Sequence, residues 1–363
     1  MDLLNGEFYI WGTGVRANQL NQTYCDELEQ INICGYIDNN SKKWGSYFKD
    51  KKIFSPDVLK KENKKYIIIA NQYKKEIIEQ IEKDYANYQW EIVEENIFTQ
   101  IQIIKRYDNN TDSEIREVIE RLKKNPLKVF NYNFIEKYDL NSIEVYFDKE
   151  KGLFYAIYFG KKMYFARAYN TVEKAKTYYR SILLEQDTSS PHLYLTRKFC
   201  VKNNDIVVDA GAAEGNFTLS IIDKVKKVYI FEPDLQWIEA LQYTFEPYIN
   251  KVIIINKFIS NYKGYNTTTI DNELQNIQID FIKMDIEGEE YYALQGAKYT
   301  IEHSNKIKCA ICTYHQEFAY IAIEQLLSTY GFNVENSYGY MWYPCGSMNN
   351  SVLRRGIIRG IKR

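Results

Sequence analysis

Two stretches of this chain alternate short apolar segments with helical segments, and this alternation constrains the fold more than any other feature. In the first hundred residues the apolar segments predict strands at 7–11, 33–37 and 66–70, with a fourth at 91–93. Strands that are separated by helices pair in parallel and form a sheet that helices cover. A second series begins after residue 205, and its predicted strands lie at 206–209, 228–231, 252–255, 280–284 and 307–312. We therefore predict an α/β fold with two doubly wound sheets.

A different pattern separates these two series. Residues 111–124 repeat apolar side chains with the period of an amphipathic helix, and residues 143–167 alternate apolar and polar side chains as an antiparallel hairpin does. We predict three parts: an N-terminal Rossmann-like domain at 1–105, connecting helices with an antiparallel hairpin (an α+β region) at 106–190, and a C-terminal domain at 191–363.

Composition narrows the partners and the location. The chain has 363 residues and a formal net charge of −1, which gives no reason to expect a nucleic acid as a partner. The N-terminus has neither a basic segment nor a long apolar one, and the longest apolar runs are too short to cross a bilayer. We expect a cytoplasmic protein without a transmembrane segment.

Residues 207–217, Val-Val-Asp-Ala-Gly-Ala-Ala-Glu-Gly-Asn-Phe, predict a strand, a turn of small residues and the start of a helix. Such a turn lets a ligand approach the backbone, and a helix N-terminus offers free N–H groups. An acid at the end of the next strand can accept hydrogen bonds from both hydroxyls of a ribose. Dinucleotide-binding domains share this layout, but the spacing is D-x-G-x-x-x-G, not G-x-G-x-x-G, and the carboxylate of Asp209 suits a positively charged ligand. The pattern favours S-adenosylmethionine, with candidate contacts at Asp209, Gly211, Ala212, Glu214, Gly215, Asn216, Glu232 and Asp285.

A second cluster of motifs lies downstream. Residues 282–290 are Ile-Lys-Met-Asp-Ile-Glu-Gly-Glu-Glu, residues 294–297 are Leu-Gln-Gly-Ala, and residues 269–271 are Thr-Ile-Asp. These segments resemble, in the same order along the chain, the K-x-D-x-E-G-x-E, L-x-G-A and T-L-D motifs of the FkbM family of methyltransferases. Tyr314 departs from that pattern, which often has an acid before the histidine. The resemblance covers about residues 185–345, and it implies a class I methyltransferase fold and methyl transfer to oxygen, commonly on a sugar or a polyketide-like metabolite.

Three polar residues follow predicted strands of this domain and are our candidates for the chemistry. Methyl transfer to a hydroxyl needs an aligned acceptor and a group that removes its proton. His315 is the first choice for this general base, because its ordinary pKa suits neutral pH. Asp285 and Glu287 are alternatives, or they orient the acceptor and the histidine. We assign no metal ligands, although Asp271, Asp285 and Glu287 could hold magnesium if they converged. His192 is open to two interpretations, a residue that closes over the site or an ordinary core contact.

The N-terminal domain has a glycine turn of its own. Residues 11–17 are Trp-Gly-Thr-Gly-Val-Arg-Ala, and Asp38 ends the next predicted strand. This arrangement resembles the small Rossmann-like domains at the front of sugar-modifying enzymes. It could seat a nucleotide with Asp38 on a ribose, or the domain could keep the fold without binding a ligand.

From these patterns we predict an S-adenosylmethionine-dependent O-methyltransferase that acts on a sugar hydroxyl of a surface glycan or its precursor. Two alternatives stay open: an NAD-dependent sugar-nucleotide oxidoreductase centred on Gly12, Gly14 and Asp38, and a non-catalytic module that binds the cofactor. The expected partner is a small-molecule or glycan acceptor, and a homo-oligomer is compatible with the sequence. Basic residues near the C-terminus predict an edge strand guarded by charge: Arg354, Arg355, Arg359, Lys362 and Arg363.

Overall fold

The computed structural model describes residues 3–275, 277–304, 306–317, 319–344 and 351–362. Contacts divide the chain into two compact units. Of the described residues, the first unit contains 3–131 and 351–352, and the second contains those from 132 to 344 and from 353 to 362. This division differs from the boundaries predicted after residues 105 and 190. The reason is that the helix Ser113–Leu122 packs in the first unit, whereas the strand Lys161–Tyr164 packs in the second.

The first unit is an α/β structure, as the alternation predicts. Its strands lie in the order β3-β4-β2-β1-β5-β6, and every neighbouring pair is parallel except β3 with β4. Because β2 and β5 flank β1 on opposite sides, the strand order reverses between β1 and β5. The elements in chain order are β1 (Glu7–Trp11), α1 (Val15–Thr23), α2 (Cys25–Leu28), β2 (Asn32–Ile37), β3 (Tyr47–Phe48), β4 (Lys51–Phe54), β5 (Lys65–Ile69), α3 (Lys74–Asp84), β6 (Trp90–Ile92), α4 (Asn96–Tyr107) and α5 (Ser113–Leu122).

Burial explains why these segments form the centre of a sheet. All five residues of β5 are buried, and so are the last four of β1, as expected for strands that helices cover on both faces. On α5 the buried residues are Ile115, Val118, Ile119 and Leu122, one face of an amphipathic helix.

The second unit begins with a small antiparallel sheet, β7-β8-β9, followed by a long helix and a seven-stranded sheet. The small sheet is the antiparallel feature predicted for residues 143–167. The elements in chain order are β7 (Tyr146–Asp148), β8 (Leu153–Tyr158), β9 (Lys161–Tyr164), α6 (Val172–Glu185), β10 (Ile206–Ala210), α7 (Asn216–Ile221), β11 (Lys227–Phe231), α8 (Leu235–Phe245), β12 (Val252–Ile255), β13 (Phe258–Ile259), β14 (Thr267–Thr268), α9 (Ile270–Glu273), β15 (Phe281–Met284), α10 (Glu290–Gln295), α11 (Lys298–His303), β16 (Ile307–Cys312), α12 (Ala319–Thr329), β17 (Asn333–Asn336), β18 (Met341–Trp342), β19 (Leu353–Arg354) and β20 (Ile357–Lys362).

The strands of the large sheet lie in the order β12-β11-β10-β15-β16-β20-β17. The first five are parallel, and β20 pairs antiparallel with both β16 and β17. The order reverses between β10 and β15, so a ligand crevice is expected at the carboxyl ends of these two strands. The predicted α/β fold, with one doubly wound sheet in each unit, is confirmed.

Two predictions about single elements need correction. The sequence predicts one helix near residues 290–301, which separates two of the predicted strands, but the structure has α10 and α11, which meet at Gly296. A Cβ on Gly296 would lie 2.1 Å from the carbonyl oxygen of Ser260, so the chain passes too closely for a side chain there. The basic C-terminal strand is not at an edge either, because β20 has a partner on each side. Arg359 on this strand is buried, and Arg363 lies outside the described residues.

Within the described ranges, no helix is both long and apolar enough to cross a membrane.

Candidate active site

A cleft of about 660 Å³ opens at the carboxyl ends of β10, β11 and β15, where the strand order reverses. Its volume lies in the usual range for small-molecule sites. The residues that line it are Gly211, Ala213, Phe231, Glu232, Pro233, Asp234, Leu235, Trp237, Lys257, Phe258, Ile259, Asp285, Ile286, Glu287 and Glu289. Of the predicted cofactor contacts, Gly211, Glu232 and Asp285 are therefore in the wall of the cleft.

The glycine turn after β10 depends on two glycines. Gly211 has a φ of +71°, and a Cβ at this position would lie 1.8 Å from the carbonyl oxygen of Asp285. Gly215 has a φ of +84° and caps the N-terminus of α7. Left-handed backbone of this kind favours glycine. The turn can therefore lie directly against the loop that follows β15, with its backbone open to the cleft.

Glu232 connects the glycine turn to the end of β11. Its Oε2 accepts a hydrogen bond of 2.8 Å from the N–H of Ala213, and its Oε1 accepts one of 2.9 Å from the N–H of Asp234. Burial raises the pKa of this carboxyl above its usual value, although both backbone hydrogen bonds oppose the rise. The side chain fixes the turn and also presents its carboxylate to the cleft.

Asp209 lies behind the turn and not in the cleft wall. The residue is fully buried, its Oδ1 is 3.1 Å from Nζ of Lys283, and its Oδ2 accepts a hydrogen bond of 2.6 Å from the hydroxyl of Thr218. The same Nζ donates a hydrogen bond of 2.5 Å to the carbonyl oxygen of Gly211. Although burial alone lowers the pKa of Lys283, the charges of Asp209 and Asp285 raise it above the usual value, so the ammonium stays charged. Asp209 thus supports the turn through Lys283.

The remaining residues predicted to contact the cofactor, Ala212, Glu214, Gly215 and Asn216, do not line the cleft. Ala212, Glu214 and Asn216 are buried. The hydroxyl of Tyr178 on α6 donates a hydrogen bond to Glu214 Oε2. Burial raises the pKa of Glu214 to about 7, although the Tyr178 hydrogen bond opposes the rise. Glu214 therefore connects the turn to α6.

Asp285, directly after β15, is the centre of a hydrogen-bond network. Its Oδ2 accepts a hydrogen bond of 2.6 Å from the hydroxyl of Tyr194, and its Oδ1 accepts one of 3.0 Å from Tyr314. Nε2 of His192, which is almost fully buried, lies 3.5 Å from Oδ2. Burial would raise the pKa of Asp285, but His192, Lys283 and His315 outweigh it and hold the pKa well below its usual range. An ionised carboxylate that is held so firmly orients its neighbours better than it accepts a proton.

His315 lies beside Asp285 and follows β16. Its Nε2 is 3.5 Å from Oδ1 of Asp285 and 3.8 Å from Oε2 of Glu287. On the other side of the ring, Nδ1 is 2.9 Å from Oε1 of Glu290, a buried carboxylate that also accepts a hydrogen bond from the N–H of Ile286. This contact departs from the alignment of a good hydrogen bond, so we treat it as mainly electrostatic. The three predicted catalytic residues therefore converge, with Glu290 behind the histidine.

Electrostatics make the imidazole of His315 a stronger base than that of an ordinary histidine. Burial lowers the pKa of His315, but contact with Glu290 and the charges of Asp285, Glu290 and Glu287 outweigh it and raise the pKa above its usual value. Glu287 itself is in a left-handed turn with a φ of +58°, and its side chain is 85% exposed. A proton taken up by His315 is therefore stabilised by carboxylates on both sides.

Sequence reasoning missed several residues that hold this centre together. Arg354 Nη1 donates hydrogen bonds to the carbonyl oxygens of Tyr314 and His315, at 2.6 and 3.0 Å. Arg359 Nη2 donates one of 2.6 Å to the carbonyl oxygen of Leu193, next to Tyr194. The arginines are visible in the sequence, but their partners are distant: Arg354 contacts residues about 40 positions earlier in the chain, and Arg359 contacts one 166 positions earlier.

The magnesium alternative loses one of its three ligands. Asp271 accepts hydrogen bonds from the backbone N–H groups of Tyr299 and Thr300, at 2.9 and 2.8 Å, at the start of α11. In the described part of the chain, two clusters have the spacing of metal ligands, and both include Asp285. His192 and Cys312 complete one cluster, and Glu290 and His315 complete the other. Asp271, Asp285 and Glu287 do not form such a cluster among the described residues, so the structure does not bring the three proposed ligands together.

The fold and the site together define a class I methyltransferase. Residues 246–334 match the model of the methyltransferase FkbM domain, so the chain contains this domain and is a methyltransferase, as the motifs at 282–297 predict. Residues 5–91 match the model described as C2185-like, N-terminal. A comparison with curated proteins found no match.

Three solved structures are similar. The methyltransferase FkbM of Methylobacillus flagellatus KT is 15% identical, with 98% of this chain and 90% of that chain covered, and a TM-score of 0.40. The precorrin-6y C5,15-methyltransferase of Geobacter metallireducens GS-15 is 10% identical, with 45% of this chain and 83% of that chain covered, and a TM-score of 0.33. The magnesium protoporphyrin IX methyltransferase of Synechocystis PCC 6803 with bound SAM is 15% identical, with 44% and 71% covered, and a TM-score of 0.31.

Proposed function

We propose that this protein transfers a methyl group from S-adenosylmethionine to a hydroxyl of a sugar, in a surface glycan or its precursor. The observation that carries the proposal is one cleft with two chemically different sides. The glycine turn and Glu232 form one side, and Asp285, Glu287 and the adjacent His315 form the other.

The cofactor side fits S-adenosylmethionine on two counts. Gly211 lets the turn pack against the loop that follows β15, and both segments line the cleft, so a ligand can contact the backbone of the turn. Glu232, at the end of β11, offers carboxylate oxygens to ribose hydroxyls. When bound, S-adenosylmethionine supplies a methyl group on a sulfonium sulfur that needs no further activation.

The acceptor side fits a hydroxyl. Nε2 of His315 faces two carboxylates, and the charge on Glu290 behind Nδ1 stabilises the imidazolium that forms when Nε2 takes the hydroxyl proton. Asp285 is ionised and hydrogen-bonded, so it holds the position of His315 and of the acceptor. Glu287 is exposed at the mouth of the cleft and can accept hydrogen bonds from neighbouring hydroxyls, which are numerous on a sugar. The choice of a sugar over another hydroxyl compound rests on the family resemblance.

Calorimetry with S-adenosylmethionine and with NAD, used separately on the full chain, tests the cofactor. We expect S-adenosylmethionine to bind. Binding of NAD without any response to S-adenosylmethionine would sink the proposal in favour of an oxidoreductase.

Transfer of labelled methyl groups to a panel of glycans and sugar nucleotides tests the acceptor and the base. We expect His315→Ala to reduce transfer by about 10²–10⁴-fold, the usual contribution of a general base, with little change in cofactor affinity. His303→Ala is the matched control, because His303 is exposed, its ring stacks on Tyr299, and it does not line the cleft. Full activity of His315→Ala would contradict the assigned role.

A further inference from the structure

The first unit has a cleft of its own at the carboxyl ends of its strands. The cleft measures about 380 Å³, within the size range of small-molecule sites. Residues that follow β1, β2 and β5 line it, so it opens where the strand order reverses. Open α/β sheets bind their ligands at this point, because the loops on the two sides diverge there.

The turn after β1 leaves its backbone accessible. Gly12 has a φ of +126°, and a Cβ there would lie 2.5 Å from the carbonyl oxygen of Ala70 at the end of β5. Gly14 precedes α1 without a side-chain cap, and a Cβ there would meet no described atom within 4 Å. Gly14, Val15 and Arg16 are exposed, so the start of α1 is at the surface, and a helix N-terminus suits an anionic group.

Asp38, after β2, is a fixed and ionised carboxylate in the cleft wall. Its Oδ1 accepts a hydrogen bond of 2.8 Å from the N–H of Asn40, and its Oδ2 accepts one of 2.8 Å from Nζ of Lys43 and another from the hydroxyl of Thr13. Burial alone would raise the pKa, but these contacts outweigh it and lower the pKa below the usual value. A carboxylate has about four lone-pair positions, so Asp38 keeps acceptor capacity for a ligand hydroxyl.

The rest of the wall offers amide groups beside an aromatic ring, and it also contains the carboxylate of Glu76. Asn39 and Gln80 are hydrogen-bonded to each other at 2.8 Å, and Asn71 lies across the cleft after β5. Tyr73 is 57% exposed. Amide groups pair with the polar edges of a base, and a tyrosine ring can stack on its face.

We infer that this cleft is a second ligand site, which binds a ribonucleotide with its ribose hydroxyls on Asp38, its base beside Tyr73 and a phosphate at the start of α1. The site lies within the first unit, and it stands or falls independently of the methyl-transfer site.

Calorimetry on the full chain with UDP, ADP, GDP and NAD, each used separately, tests this site. We expect at least one of them to bind below about 1 mM. Asp38→Asn should weaken that binding about tenfold, the effect of removing a charged acceptor, while S-adenosylmethionine affinity is unchanged. Asp57→Asn is the matched control, because Asp57 pairs with Lys60 on the surface of the same unit. No binding by any of the four, or equal binding by the two variants, would overturn the inference.

A second comparison does not depend on how Asp38→Asn folds. The 2′,3′-dideoxy form of the nucleotide that binds should lose about tenfold in affinity for the unaltered protein, because it lacks the hydroxyls assigned to the carboxylate. Equal affinity for the two forms would overturn the assignment of the ribose to Asp38.

Discussion

Lys283→Met should destabilise the second unit strongly, because this lysine is the charge partner of a carboxylate without access to solvent. Asp209 is fully buried, and Nζ of Lys283 lies 3.1 Å from its Oδ1. Removal of one member of a buried ion pair costs about 3–5 kcal/mol, because the other charge stays buried without compensation. The hydroxyl of Thr218 still donates to Oδ2 in the variant, which favours the lower part of this range.

Hydrogen exchange on peptides from β10 and β15 measures this loss locally, without contribution from the first unit. The double variant Asp209→Leu with Lys283→Met is the control. Replacement of both members of a buried pair by apolar residues is often neutral, so the double variant should recover most of the stability that the single variant loses. A loss below about 1 kcal/mol in Lys283→Met, or no recovery in the double variant, would refute the ion-pair argument.

Two further predictions concern the active site. The charge of Glu290 contributes to the raised pKa of His315, so Glu290→Gln should lower that pKa and make the neutral imidazole available at lower pH. The acidic limb of the pH profile of kcat/KM for methyl transfer should therefore shift to lower pH. An unshifted limb would exclude Glu290 as the cause of the raised pKa. Gly211→Ala should abolish S-adenosylmethionine binding in calorimetry and destabilise the fold in urea, since its Cβ would lie 1.8 Å from a carbonyl oxygen. Gly160→Ala has a similar φ of +74° with nothing within 4 Å, and should show only the cost of the backbone strain, about 1–3 kcal/mol; equal effects of the two changes would show that the close approach is irrelevant.

The order of strands and helices was readable from the sequence because burial on both faces leaves a local mark. Strands such as β1 and β5 are short runs of apolar residues, and the turn at 211–215 has small residues where the backbone is left-handed. Breaks inside helices were not readable. Gly296 separates α10 from α11 because Ser260, thirty-six residues earlier, approaches it, and no local pattern records such a contact.

The sequence alone determined the position of the glycine turn, the carboxylate of Glu232 and the three residues Asp285, Glu287 and His315. Each of these begins within three residues of the end of a strand, and the carboxyl ends of these parallel strands face the same edge of the sheet. The tertiary structure decided which of these side chains meet and in what state. It placed Asp209 behind the turn with Lys283, put Glu290 against His315, and joined Asp285 to His192, Tyr194 and Tyr314. These contacts join residues far apart in the chain, and the charges that set their pKa values act through space, so only the folded arrangement determines them.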